Sequence, residues 1–195
     1  IFIGHDAGGG QWATAVSTYN IGIGSYVMDA AMNGANSNIG IGYVALGALT
    51  EGDDNTVIGY AAGDAITTTS NCVLIGSVAG TAINHNDANG TVAVGTSAGY
   101  GALDAADGDE NVNTVIGANA MGAATHDSIS SNVAIGDDAL LGGAGILRGN
   151  VAIGKDAMSG TGTSTNDYTV AIGHSALKVL TDGAYNIAIG YQALA

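Results

Sequence analysis

The stretch NVAIGKDAM, from Asn150 to Met158, decides the fold. It recurs as NVAIGDDAL at Asn132 to Leu140 and as NIAIGYQAL at Asn186 to Leu194. If the glycine of its Ile-Gly pair is position zero, the pattern extends outward to Gly4, Gly24, Gly42, Gly59, Gly76, Gly95, Gly117, Gly136, Gly154, Gly173 and Gly190, spaced 17 to 22 residues apart. Position −1 is Ile in ten copies and Val94 in the other. Position −3 is always Ile, Val or Thr, and position +4 is only Gly, Leu or Met. Position +3 is Ala in every copy but that of Val27. Position −4 is Asn at residues 20, 38, 55, 113, 132, 150 and 186, and Cys72, Thr91 and Thr169 elsewhere.

Each copy predicts a short strand closed by a glycine turn. Positions −3 and −1 are β-branched and alternate, as side chains along a pleated strand do. Position −2 is small or apolar, so both strand faces are apolar, which marks a covered parallel sheet rather than an amphipathic hairpin. A unit this short cannot bury its own faces, so neighbouring copies must stack. The expected fold is all-β, a parallel β-solenoid of about eleven repeats forming one array over residues 1–195. Stacked at the ~4.8 Å strand spacing, it makes a rod of about 50 Å. The isoleucines of position −1 are expected to form a buried, in-register row. A neighbouring chain is expected to cover the second apolar face. The asparagines are expected to form an amide ladder and to tolerate left-handed backbone. Cys72 reads as a small packed residue in that row. The absence of proline suits continuous ladders. No polar terminal cap is visible, so the array is expected to be a fragment of a longer fibre protein.

Composition narrows the function. The 33 glycines follow no strict three-residue period, which excludes collagen. Seventeen acidic residues against three Lys and Arg leave a net charge of −14. That charge argues against nucleic acid and against anionic membrane surfaces, both of which need basic patches. No run of about 18 apolar residues predicts a membrane-spanning helix.

Insertions collect between +5 and the next −5, the edge of a solenoid that commonly meets partners. The longest, YGALDAADGDENV from Tyr100 to Val112, carries Asp104, Asp107, Asp109 and Glu110. Such an oxygen-rich loop is a weak candidate for Ca²⁺, but its spacing matches no EF-hand, and a solvated acidic loop is the plainer reading. Tyr43, Tyr60 and Tyr191 share position +1 and Tyr100 opens the acidic loop; exposed tyrosines there are candidate contact points for a sugar or protein partner. His5 and His174 also sit at +1 but nine coils apart, too far to share a metal within one chain. Gly95-Thr96-Ser97-Ala98-Gly99 spells a hydrolase nucleophile elbow, yet Gly95, Ala98 and Gly99 only fill repeat positions 0, +3 and +4. Asn89-Gly90-Thr91 is a glycosylation sequon, meaningful only in a eukaryotic secretory setting.

The N-x-A-I-G-x-x-A-L pattern resembles the head repeats of trimeric autotransporter adhesins. It is still more similar to repeats of phage tail-fibre and related surface-fibre proteins. The resemblance covers all eleven copies and implies left-handed β-rolls packed as a parallel homotrimeric fibre. It implies an adhesive or structural role outside the cell, on a virion appendage or a cell surface. The repeat here is longer and less even than the adhesin one. The expected function is therefore a non-enzymatic fibre segment without a cofactor, presenting surface to a host receptor or glycan. The alternatives are a Ca²⁺-dependent or other ligand-binding solenoid, or a spacer for an enzyme or tip domain elsewhere. Ice binding would want flat Thr rows, whereas Thr67, Thr68 and Thr69 share one loop.

Overall fold

The computed structural model describes residues 1–11, 15–83, 88–101, 112–123, 129–142, 145–160, 165–180 and 183–195. Every repeat contributes one strand at positions −3 to −1. These are β1 (Phe2–Ile3), β2 (Ile21–Ile23), β3 (Ile39–Ile41), β4 (Thr56–Ile58), β5 (Val73–Ile75), β6 (Val92–Val94), β7 (Thr114–Ile116), β9 (Val133–Ile135), β11 (Val151–Ile153), β13 (Val170–Ile172) and β14 (Ile187–Ile189). They form one eleven-stranded parallel sheet in chain order. The register never slips: Ile21 lies beside Ile39, Ala152 beside Ala171, Ile172 beside Ile189. A second, three-stranded parallel sheet joins β8 (Ile129–Ser130), β10 (Leu147–Arg148) and β12 (Asn166–Asp167). The fold is a parallel β-solenoid.

The turn after each strand is laddered as fully as the strand. Residues at +2 and +4 adopt positive φ in all eleven copies, including Val44 at 57° and Val78 at 52°. β-Branched residues avoid this region, at a cost of about 1–2 kcal/mol each. The return is a hydrogen bond to a neighbouring coil. The +2 N–H donates to the +1 carbonyl of the preceding coil, as from Val44 to Ser25 at 3.0 Å. The +4 N–H donates to the +3 carbonyl of the following coil, as from Leu46 to Ala62 at 3.1 Å. Alternating backbone handedness aims successive donors up and down the rod, leaving no i to i+4 pattern for a helix.

Position zero shows why glycine is needed. Its φ lies between 127° and 148°, and in the first ten copies an added β-carbon would sit under 3.0 Å from the next coil's glycine backbone.

The interior is lined by positions −4, −2, +3 and +4, with little exposure at Val57, Leu74, Ala93, Ala134, Ala152 and Ala171, and on its other side by Met32, Leu49, Ile66, Ile83, Ile129 and Leu147. Volumes at −2 and +4 compensate in most coils, the pairs Ala93 with Gly99 and Val115 with Met121 being the exceptions. Phe2, Val57 and Leu74 accompany Gly8, Gly63 and Gly80, and a β-carbon on Gly80 would lie 2.9 Å from Leu74. Where +4 is Met28, Leu46, Leu140 or Met158, position −2 is Gly22, Gly40, Ala134 or Ala152.

This placement corrects one expectation. The isoleucines of position −1 do not form a buried row: together with position −3 they point out of the coil, Ile75 being 37% and Ile116 40% exposed. The reason is that −2 and −4 share a face by strand alternation. That face can be inward because the asparagine amides are fully hydrogen-bonded there and the thin interior accommodates the small side chains at −2.

Buried asparagines run the length of the interior. Asn20 Oδ1 accepts from the N–H and the Nδ2 of Asn38 at 2.9 and 3.1 Å. Asn38 Oδ1 does the same for Asn55 at 3.1 and 2.9 Å, and Asn132 for Asn150 at 2.9 and 3.1 Å. Each Nδ2 also donates to the carbonyl at −7 of its own closing turn: Asn38 to Gly52 at 2.8 Å, Asn55 to Thr69 at 2.9 Å, Asn132 to Leu147 at 2.8 Å. Two of the replacements keep part of this. Cys72 Sγ reaches the −7 carbonyl of Ala88 at 3.5 Å, and Thr169 Oγ1 accepts from the N–H of Asn186 at 3.3 Å. Burial pushes the Cys72 thiol up to about 11, in keeping with the packed role expected of it.

Two predictions follow from the geometry. Gly59→Ala should lower the urea midpoint severely, by more than about 4 kcal/mol in unfolding free energy, because backbone rather than a flexible side chain blocks the new carbon. Cys72→Asn should raise thermal stability by about 1 kcal/mol by restoring both halves of the amide ladder; circular dichroism melting curves read both.

Candidate assembly face and surface columns

Outward pointing of −3 and −1 leaves a two-row strip of Ile and Val, with Thr56 and Thr114, along one side of the rod. Its end residues are the most open, Ile1 at 72% and Ile187 at 70%. Strip length is about 50 Å and width about 10 Å, from strand spacing and rise, so its area is about 500 Å². That is near the top of what a monomer ordinarily leaves uncovered. None of its positions is charged, although the chain carries seventeen acids.

The chain bends at −5, where the backbone is left-handed in nine of ten copies, and again at the position-zero glycine. Columns at −5 and at +1 and +2 therefore border the strip. Along the second border the rings of His5, Tyr26, Tyr43 and Tyr60 meet coil by coil, the first two pairs edge to face. Their centroids are 5.3, 5.7 and 5.5 Å apart in turn, and the last pair is nearly parallel at 9°. At that separation parallel rings are offset-stacked. Tyr43 and Tyr60 thus turn these faces to each other, and a sugar cannot lie flat between them. Farther along, Lys155 Nζ meets Asp137 Oδ2 at 2.8 Å, and Lys178 meets Asp156 at 3.1 Å. The hydrogen bond to Asp137, with the fields of Asp137, Asp156 and Asp138, pushes the Lys155 ammonium above its ordinary value. Tyr191 stacks on His174 at 5.4 Å.

Of the tyrosines singled out by sequence, the structure brings Tyr43 and Tyr60 together, sets Tyr191 in a separate stack at the other end, and leaves Tyr100 half exposed at the start of its loop. Asp104, Asp107, Asp109 and Glu110 lie outside the described residues. Among the described residues no three His, Cys, Asp or Glu side chains gather as metal ligands. No described helix is long and apolar enough to cross a membrane. Ser97 occupies the same left-handed +2 turn as every other copy.

Two features escaped the sequence reading. The first is the −5 column, where Tyr19, Tyr168 and Tyr185 are 85%, 54% and 76% exposed, and Tyr168 and Tyr185 stack at 5.6 Å. The second is a polar ladder at −6 that runs opposite to the asparagine ladder. Asn36 Oδ1 accepts from Thr18 N at 2.8 Å, Asp53 Oδ1 from Asn36 N at 2.6 Å, Ser70 Oγ from Asp53 N at 2.9 Å, and Asn89 Oδ1 from Ser70 N at 2.6 Å. Its signal was the run of short polar residues at one repeat position. Asn89 of the sequon is one of its members.

Comparison with family models, with curated proteins and with solved structures finds no match to this chain.

Ala152→Asp and Ile153→Asp separate inside from outside. The first should unfold the stack, since an unpaired buried charge costs several kcal/mol. The second should leave the single chain's far-ultraviolet spectrum and melting midpoint nearly unchanged when measured on monomer.

Proposed function

We propose that this chain is a non-enzymatic structural segment of an extracellular fibre, on a virion appendage or cell surface, built from parallel copies that pack through the −3/−1 strip. Three copies is the number the repeat resemblance implies. The single observation that supports assembly is an uncharged, β-branched strip running the full rod on a chain of net charge −14. Strongly like-charged rods repel one another over the screening length, about 10 Å at 0.1 M salt. An apolar side without charge is where copies can meet with least repulsion and most apolar burial. The remaining surface then carries the acids and the variable loops outward, where a host receptor or glycan would be met. Everything conserved among the repeats serves stacking, so recognition falls to the loops.

Native mass spectrometry or sedimentation of the 195-residue chain tests this. The expected result is a trimer that Ile135→Asp with Ile153→Asp converts to folded monomer. A wild-type monomer at micromolar concentration overturns the proposal. Replacing the Tyr100–Val112 loop with an eight-residue loop from another repeat should reduce attachment to a host surface; unchanged attachment would make the segment a spacer.

A further inference from the structure

Within the chain Tyr168 and Tyr185 of the −5 column stack on each other at 5.6 Å, yet all three −5 tyrosines remain more than half exposed. Tyr19, Tyr168 and Tyr185 adopt φ of 62°, 52° and 63°. Other copies place Ser37, Asp54, Asn71, Gly90, Ser131 or Gly149 there, mostly residues that accept left-handed backbone readily. A bulky aromatic at positive φ is disfavoured, and these three also leave most of their rings in solvent. They are not scattered. The coil of Tyr19 carries Tyr26 on its opposite border, that of Tyr168 carries His174, and that of Tyr185 carries Tyr191. The coils of Gly42 and Gly59 carry Tyr43 and Tyr60 at +1 opposite Ser37 and Asp54 at −5, and from Gly76 to Gly154 both borders lack aromatic residues.

We infer that the −5 column of one copy docks against the +1/+2 column of the next copy at the same coil level. Tyr19 then meets Tyr26, Tyr168 meets His174 and Tyr185 meets Tyr191 of adjacent copies, and these contacts lock the fibre in register. This rests on the assembly proposed above and names the partner of each border. The geometry follows from rotation about the rod axis. Any ring of parallel copies whose strips face inward brings the −5 border of one copy to the +1 border of its neighbour. Sheets packed face to face stand about 10 Å apart, so a threefold core sets each strip about 5 Å from the axis and gives it a side of about 17 Å. Six residue steps of strand, from −5 to +1, span about 20 Å, so the two borders fall near the corners where copies touch. The strip alone sets no register, because identical rows slide past one another at every strand spacing. Aromatic pairs confined to particular coils remove that freedom, as side-chain patterning fixes register in sheets.

The test is disulfide trapping with Tyr168→Cys and His174→Cys in one chain. Within a chain the two positions flank the extended strand Val170–Ile172, far beyond the Cα separation of about 7 Å that a disulfide spans. The buried Cys72 stays as it is. Oxidation should give covalently closed multimers from the double variant and none from either single variant. An oligomer by native mass that fails to cross-link in the double variant overturns the docking and leaves assembly standing. Cross-linking of Tyr168→Cys alone also overturns it, since it requires like borders to meet. A monomer by native mass overturns both. As a second reading, Tyr185→Ser should leave the monomer's melting midpoint unchanged or raised while lowering oligomer stability at least tenfold in dissociation constant; no change in oligomer stability counts against the pairing.

Discussion

Everything in this molecule depends on coils approaching to one strand spacing at position zero. There the backbone of one glycine lies against the backbone of the next, and a β-carbon would intrude in each of the first ten copies. That approach fixes the register of the eleven strands. It also brings the +1, +2, +3 and +4 backbones within hydrogen-bonding reach of neighbouring coils. The left-handed residues at +2 and +4 are the local consequence. They are tolerated even as valine because each serves a bond that the close stack makes available.

Two polar ladders then hold the turn before the strand from both sides. The asparagines at −4 accept from the coil that follows, while the −6 side chains accept from the coil that precedes. Between them the −5 residue turns the chain. Such a ladder is cooperative in a narrow sense. Each Asn38-type amide satisfies an otherwise buried N–H in the next coil, so losing one leaves a donor unpaired one coil away. Asn fits because its amide reaches both the next coil's N–H and the −7 carbonyl; Cys72 Sγ reaches the carbonyl, while Thr169 Oγ1 accepts from the Asn186 N–H and donates instead to the Asp167 carbonyl.

With the −2 row pointing inward among Ala, Met, Leu and the amides, strand alternation turns the β-branched side chains at −3 and −1 outward, while Val57, Ile66, Ile83, Val115 and Ile129 at other positions stay inside. The apolar strip is therefore a by-product of the interior as much as a surface in its own right. Aromatic stacks and ion pairs on its borders obey the same period, so rings and charges one repeat apart meet as rows.

The sequence by itself determined the solenoid, its strand positions, its register and the amide ladder, because a fixed repeat of strand, glycine and asparagine allows only in-register stacking. It left the direction of the strip undecided, since the laddered asparagines at −4 favour −2 as the inner row. Hydrophobicity alone pointed the other way, since isoleucine outranks alanine as a core residue. Only the tertiary structure decided which side was inside, because that depends on how much volume the closed coil leaves, a property of no single repeat. It likewise decided which tyrosines meet, since Tyr26 at +2 packs edge to face on Tyr43 at +1 only through the side-chain positions on adjacent coils. The −6 ladder and the exposed −5 rings were invisible for the same reason: their partners lie a coil away, and their residue types vary while their geometry does not.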